Sequence, residues 1–320
     1  MILILTNDGD LSSDIVIDWL DYFNYSYLRI NSNEFLSKKF IFDKDSFLFD
    51  NQKYYVSDFR AIWFRKFGFF TSSSFYKGLS IIADDLSIKH LTKEFNAFLL
   101  AFMSIFNNKN WLTNPFNASI NKFQLLQIAS DYGIKVPVSY LTNSKAYLKF
   151  LNNKSMLISK SILDTLILPD KSHYYVQYTD TIDEDLISKL PDLFFPSYIQ
   201  NLIKKDYEVR VFYLLGKLYS MAIFSQNDDQ TKVDFRKYNS EKSNRNIPYK
   251  LPNEIEEKIC KLMEHLNLNC ASLDLIKDVN SEYILLEINV TGQFGMVDFP
   301  CNYGLHKKVA ETLIKLDSNC

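Results

Sequence analysis

The sequence predicts an α/β (α+β) fold, and three stretches carry that expectation. First, apolar runs at Ile2–Leu5, Tyr27–Ile30 and Ala61–Phe64, with turn chemistry at Asn7-Asp8-Gly9-Asp10, give a strand–helix–strand order with parallel pairing. Second, Asp84 to Phe106 reads as a long helix, with Leu86, Phe95, Phe98, Leu99 and Phe102 near helical spacing. Third, Ala271–Lys277 and Tyr283–Asn289 are two oily strands joined by a tight turn at Asp278–Ser281.

The remaining elements come in chain order. Ser13 or Asp14 caps a helix that runs through Asn24, and Asn114-Pro115 breaks the pattern as a first boundary. Asn121–Tyr132 makes a helix that stops at Gly133, and Val136-Pro137 starts an extended stretch. Met156–Ser159 and Tyr174–Tyr178 are strands, and Pro191 and Pro196 bracket a second boundary. Ser197–Leu202, Glu208–Leu215 and Leu218–Ser225 are the next strands, the last two joined by a hairpin turn at Gly216-Lys217. Asn253 to Leu266 is a helix, with Asn253 and Glu256 at capping-box spacing, and a last helix runs from about Leu305 to Leu316. These boundaries divide the chain into an N-terminal α/β domain over 1–113, a central lobe over 114–195 and a C-terminal lobe over 196–320.

Composition narrows the class. Apolar residues make up 47% and charged residues 23% of 320, the profile of a globular chain and not of a disordered one. A formal net charge of −2 supplies no basic field for nucleic acid or an anionic membrane. Cys260, Cys270, Cys301 and Cys320 form no CxxC pair and the four His are scattered, so a zinc site is not expected and the thiols are read as reduced. The N-terminus lacks a cationic n-region, and no apolar run approaches the ~18–20 residues of a membrane span, so the expectation is a soluble, cytoplasmic protein.

The densest chemical signal lies on the last two strands. Asp274 interrupts one oily run, and Glu287 and Asn289 interrupt the other, two apart and therefore on one strand face. An unpaired buried carboxylate is costly, so a cation or donor is required; these hard oxygen donors suit Mg²⁺ touching a phosphate. An edge hairpin with solvated acids is the plainer alternative. Upstream, the segment Gln200, Asn201, Leu202, Ile203 can present backbone groups to an adenine edge, with Glu208 in reach of a ribose hydroxyl. Arg210 shares a strand face with Glu208 and can meet phosphate, although alternating charge on a strand also describes a solvated face. Lys122 opens a helix and Lys160 ends an apolar run. Neither GxxxxGK[ST] nor GxGxxG occurs, so such lysines must supply much of any positive field for a nucleotide.

Taken together, these residues resemble the ATP-grasp superfamily, in chain order from about Asn114 to the C-terminus. The resemblance implies an ATP-grasp fold: a small N-terminal α/β lobe and two lobes clasping the nucleotide. It aligns Lys122 and Lys160 with the nucleotide-binding lysines, Asn201 with a hinge acid, Glu208 with the ribose acid, and Asp274, Glu287 and Asn289 with the metal-binding set. Trp63-Phe64-Arg65-Lys66, Tyr207–Val211, Val233-Asp234-Phe235-Arg236, Ile247-Pro248-Tyr249 and Leu286–Asn289 with Gly292-Gln293-Phe294 are similar to the peptide maturases of microviridin-type graspetide pathways, the grasp-with-spasm group above all. That resemblance implies ATP and two Mg²⁺ ions as cofactors. It implies a ribosomal precursor peptide, leader plus core, as partner, the leader docking on the N-terminal domain, with a homodimer admitted. Asp or Glu side chains are phosphorylated by ATP and then captured by Ser, Thr or Lys as ω-ester or ω-amide macrocycles, releasing ADP and phosphate. Arg210 and Arg236 are the implied catalytic cations, Arg236 gripping an acyl phosphate or peptide carboxylate unless it only pairs with Asp234. Arg65 either binds peptide or, in a structural role, holds the lobe interface. Two departures stand out: Asn201 is not acidic, and Ser161 to Lys171 lacks the glycines of a phosphate-covering loop. Two other functions remain open, a ligase acting on free amino acids or a protein C-terminus, and a non-catalytic ATP-binding regulator.

Overall fold

The computed structural model describes residues 1–68, 70–117, 121–162, 167–170, 173–176, 179–225 and 244–318. The chain divides into two compact units: residues 1–118, 268–270 and 290–320 form the first, and 119–267 with 271–289 form the second.

The first unit begins with β1 (Ile2–Thr6), α1 (Leu11–Tyr22) and β2 (Tyr27–Asn31). It continues through β3 (Phe40–Phe42), β4 (Ser46–Phe49), β5 (Gln52–Tyr55), β6 (Ala61–Phe64), α2 (Ser74–Leu79), α3 (Asp85–Ser104) and β7 (Asn110–Thr113). Four strands form a parallel sheet in the order β2-β1-β6-β7. Its central strand β1 is buried at every residue, as a parallel strand covered on both faces must be. Asp10, not Ser13 or Asp14, caps α1, accepting from the Ser13 N–H. The β3-β4-β5 meander has no counterpart in the sequence reading, because its strands are three or four residues long and too short to set up a period. Its Phe47 and Phe49 pack with Phe59, Phe95, Leu99, Phe102 and Phe106 in one aromatic core. Helix α3 buries Phe95, Leu99, Phe102 and Met103, whereas Leu86 is solvent-exposed, so only the C-terminal turns of that helix carry the packing.

The second unit holds α4 (Lys122–Asp131), β8 (Ser139–Ser144), α5 (Lys145–Asn152), β9 (Leu157–Lys160), β10 (Ile167–Asp170), β11 (His173–Val176), β12 (Asp180–Ile182) and α6 (Glu184–Lys189). Then come β13 (Leu193–Asn201), β14 (Lys205–Leu214), β15 (Lys217–Phe224), β16 (Arg245–Tyr249), α7 (Asn253–His265), β17 (Cys270–Asp278) and β18 (Tyr283–Asn289). One four-stranded sheet has the order β12-β9-β13-β8, antiparallel throughout, and a five-stranded sheet runs β16-β15-β14-β17-β18. Strand β13 continues through Pro196, where its register against β8 shifts; a residue without an N–H is tolerated at such an irregularity, so Pro196 marks a bend and not a break. The β14–β15 turn is Leu215-Gly216, one residue earlier than the sequence reading, because both central residues take positive φ (44° and 80°), as a two-residue twisted hairpin requires. Helix α7 is preceded by Pro252 with no side-chain cap, and Glu256 pairs with Lys250, so the Asn253 capping box does not form.

The chain ends in the first unit with α8 (Gly295–Cys301) and α9 (Leu305–Ser318). The sequence-based division placed both in the C-terminal lobe. Leu305, Val309 and Leu313 recur at helical spacing and bury one face of α9, which packs on α1 and the parallel sheet. Asp317 completes the attachment, accepting from Tyr25 Oη at 2.7 Å and from the Arg60 and Ala61 N–H groups at 3.3 Å.

At the C-terminal edge of β6, Arg65 is buried, and its Nη2 has no hydrogen-bond partner among the described residues. Its Nε donates to Asp10 Oδ2 at 2.6 Å, and its Nη1 donates to the Thr291 and Gly292 carbonyls at 3.0 and 2.9 Å. Burial pushes the Asp10 carboxyl up, but Arg65, Ser13 and Lys66 outweigh it and hold it below its ordinary value. Arg65→Met is expected to destabilise the protein by about 3–5 kcal/mol in denaturant unfolding, because Asp10 keeps its buried charge and loses its main partner. Adding Asp10→Asn to that variant should recover part of the loss.

Candidate nucleotide and metal site

The register of the last two strands sets the geometry. Asp274 lies directly opposite Glu287, and Ser272 directly opposite Asn289. Directly opposed residues share a sheet face, as do residues two apart, so the three oxygen-bearing side chains expected on this ribbon stand on one face. Two like charges opposed across an antiparallel pair repel, and each has a cation from another element. Arg210, on β14, places Nη1 2.5 Å from both carboxylate oxygens of Asp274. Lys122, at the first position of α4, lies 3.3 Å from Glu287 Oε1. The segment just after α4 ties that helix to β18, since the Leu285 N–H donates to the Lys135 carbonyl at 2.8 Å.

Lys160 approaches the same strand from the smaller sheet. Its Nζ is 3.4 Å from the Leu286 carbonyl and 5.7 Å from the ring centre of Tyr198, its directly opposed neighbour on β13. Tyr198 and Gln200 share one face of β13, and Gln200 Nε2 donates to Tyr198 Oη at 2.7 Å and Ser139 Oγ at 2.8 Å. Asn201 is one residue out of phase, on the face of Ile199, which packs into the cluster of Leu148, Leu151 and Leu157. The Asn201 and Leu202 N–H groups donate to the Val138 and Met156 carbonyls, so two of the backbone donors expected for an adenine edge are already engaged. Ile203 lies between β13 and β14.

Glu208 is nearly fully buried and pairs with Lys205, while Ser225 Oγ donates to its other oxygen at 3.0 Å. Its carboxyl stands raised to about 7: burial pushes it up most, Lys205 and Ser225 pull it down, and Asp274 adds to the rise. Sequence reasoning did not assign Lys205, Ser225, Tyr198 or Ser272. Lysine, serine and tyrosine on strands are ordinary, and only the burial of Lys205 and Ser225 would have singled them out. Arg236, with Asp234, lies outside the described residues.

Whether these residues suit a nucleotide and a divalent ion is tested by their unmet polar atoms. Arg210 Nε, Gln200 Oε1, Asn201 Oδ1 and Ser272 Oγ are buried without a hydrogen-bond partner among the described residues. Buried polar atoms cost free energy unless satisfied, so the Arg210 Nε donor and the Gln200 Oε1 acceptor fit a ligand carrying both functions, whereas Asn201 is on the opposite face of β13. Two carboxylates and an amide are hard oxygen donors of the kind Mg²⁺ takes. Among the described residues no three His, Cys, Asp or Glu converge.

No protein-family model matches the sequence, and no curated protein matches it. Solved structures do. A RiPP-associated ATP-grasp ligase from Chryseobacterium gregarium, in complex with ADP and a leader and core peptide, is similar over 100% of this chain and 99% of its own, with TM-score 0.85 and 23% identity. The macrocyclase MdnC from Microcystis aeruginosa, bound with precursor peptide MdnA, is similar over 98% and 99%, with TM-score 0.84 and 22% identity. The ATP-grasp ligase PsnB, complexed with a phosphomimetic variant of a minimal precursor, Mg and ADP, is similar over 98% of each chain, with TM-score 0.77 and 16% identity. The fold is therefore ATP-grasp, as the motifs implied.

The Glu208 carboxyl yields a pH test. Its folded value near 7 exceeds the ordinary 4.5, so between these values the folded protein holds a proton that the unfolded chain has lost. Stability conferred at low pH is then lost as pH rises from about 4.5 to about 7, by up to ~1.4 kcal/mol per pH unit. Denaturant unfolding should show this fall in the wild type and a shallower one in Glu208→Gln. Parallel profiles would mean that the carboxyl does not titrate there.

Proposed function

We propose that the protein is an ATP-dependent ligase that activates Asp or Glu side chains of a ribosomally made peptide and closes ω-ester or ω-amide macrocycles with Ser, Thr or Lys of the same peptide. The reading rests on one observation: Asp274 and Glu287 are directly opposed, Asn289 stands on the same face, and Lys122, Lys160 and Arg210 reach that ribbon. In this reading Asp274, Glu287 and Asn289 hold Mg²⁺, with two ions as the working number. Bound magnesium neutralises phosphate charge and aligns phosphoryl transfer.

The chain's own residues do the rest. Lys122 and Arg210 pair with the two acids in the structure; when nucleotide and metal bind, the acids turn to the cation and the bases to the triphosphate. Lys160 adds a third positive charge at the phosphates, Glu208 accepts from a ribose hydroxyl, and Gln200 to Ile203 border the adenine. The peptide carboxylate attacks the γ-phosphorus, ADP leaves, and a hydroxyl or amine then attacks the acyl carbon and expels phosphate. Having both partners on one peptide supplies effective concentration, which matters because no general base stands out among the described residues. Arg236 is assigned to the acyl phosphate or peptide carboxylate. The N-terminal domain is the docking place for a leader, and a homodimer and a cytoplasmic setting belong to the same reading. No described helix is long and apolar enough to cross a membrane. The three similar structures support this reading through what they hold: ADP in two of them, Mg in one, and leader and core or precursor peptides.

Incubating the protein with its co-encoded peptide, ATP and Mg²⁺ should give products lighter by ~18 Da per ring, one water lost per condensation, in mass spectrometry. The nucleotide products should be ADP and phosphate; AMP and pyrophosphate would refute activation as an acyl phosphate. Glu287→Gln should abolish ring formation while its melting curve stays that of a folded protein.

A further inference from the structure

On the face that carries Asp274, Glu287 and Asn289 there is a fourth polar side chain. Ser272 is 2% exposed, and its Oγ has no hydrogen-bond partner among the described residues. It sits directly opposite Asn289 and two residues before Asp274. Opposed residues on an antiparallel pair have Cβ atoms about 5 Å apart, and residues two apart on a strand are separated by roughly 7 Å. Ser272, Asp274, Glu287 and Asn289 therefore stand at the four corners of one patch. A hydroxyl buried there without a partner carries the cost of an unmet donor and acceptor. Folding of the described residues does not use that hydroxyl.

We propose that Ser272 is a positioning residue of the divalent-cation site: its hydroxyl holds the hydration shell of the ion on the Asn289 side. The inference rests on the magnesium reading above. Magnesium sheds water reluctantly and keeps several waters, so a short neutral side chain beside the carboxylates suits a bound water better than the ion itself. Groups that orient a metal's own ligands commonly change metal affinity by 10–100-fold, and Ser272 falls in that class of effect.

The test compares wild type, Ser272→Ala, Ser272→Cys and Glu287→Gln. ADP binding is measured by calorimetry across a magnesium titration and again in EDTA, and Mn²⁺ binding by electron paramagnetic resonance. Ser272→Ala and Ser272→Cys, which both lack the oxygen, should need about tenfold more Mg²⁺ for half-maximal ADP uptake and bind Mn²⁺ correspondingly more weakly, with ADP affinity in EDTA unchanged. Melting in EDTA should leave Ser272→Ala as stable as the wild type or more so, because an unmet buried hydroxyl has been removed. A magnesium midpoint within twofold of wild type would overturn the role of Ser272, and a lower melting temperature in EDTA would instead assign its hydroxyl to folding. If Ser272→Ala behaves as wild type while Glu287→Gln loses the magnesium dependence, the metal reading survives without Ser272. If Glu287→Gln keeps it too, the metal reading itself fails.

Discussion

Asp274 and Glu287 face each other across β17 and β18, and this opposition of like charges is the constraint on which the site depends. Left alone, the pair would weaken the ribbon that carries it. Arg210 comes from β14 and Lys122 from the start of α4, so two separate elements are recruited to one patch by charge. The arrangement is locally near neutral.

Most buried polar groups in a folded protein are paired. Among the described residues, Arg210 Nε, Gln200 Oε1, Asn201 Oδ1 and Ser272 Oγ are some of those that are not, as are Asn246 Oδ1 on β16 and Asn33 Oδ1, Arg65 Nη2 and His306 Nε2 in the first unit. Glu208 adds a buried carboxyl whose value near 7 reflects desolvation only partly offset by Lys205. Carboxyls carried at such a cost are commoner where they meet a ligand than where they only support a fold.

The first unit solves a different problem. Its parallel sheet needs cover on both faces, and aromatic side chains from β4 and α3 supply it on one, with α9 packing on the sheet and on α1 as well. Buried charge appears there too, in Arg65 and Asp10, yet that pair is bonded to backbone and to each other in a way that fastens loops.

Most of the regular elements were legible in the chain before any coordinates. Strand Ala61–Phe64 and strand Tyr283–Asn289 were bounded to the residue, because period and turn chemistry are local properties. The shared face of Glu287 and Asn289 was equally plain, since alternation is built into any strand. The β3-β4-β5 meander was not legible, because three- and four-residue strands hold no period, nor was the helix cap at Asp10 or the turn at Leu215-Gly216, which depend on backbone angles. Tertiary packing alone set the register that places Asp274 against Glu287 and the burial that singles out Lys205 and Ser272. Pairing between strands and desolvation arise from residues distant in the chain, and no local pattern encodes which distant neighbour a side chain will meet.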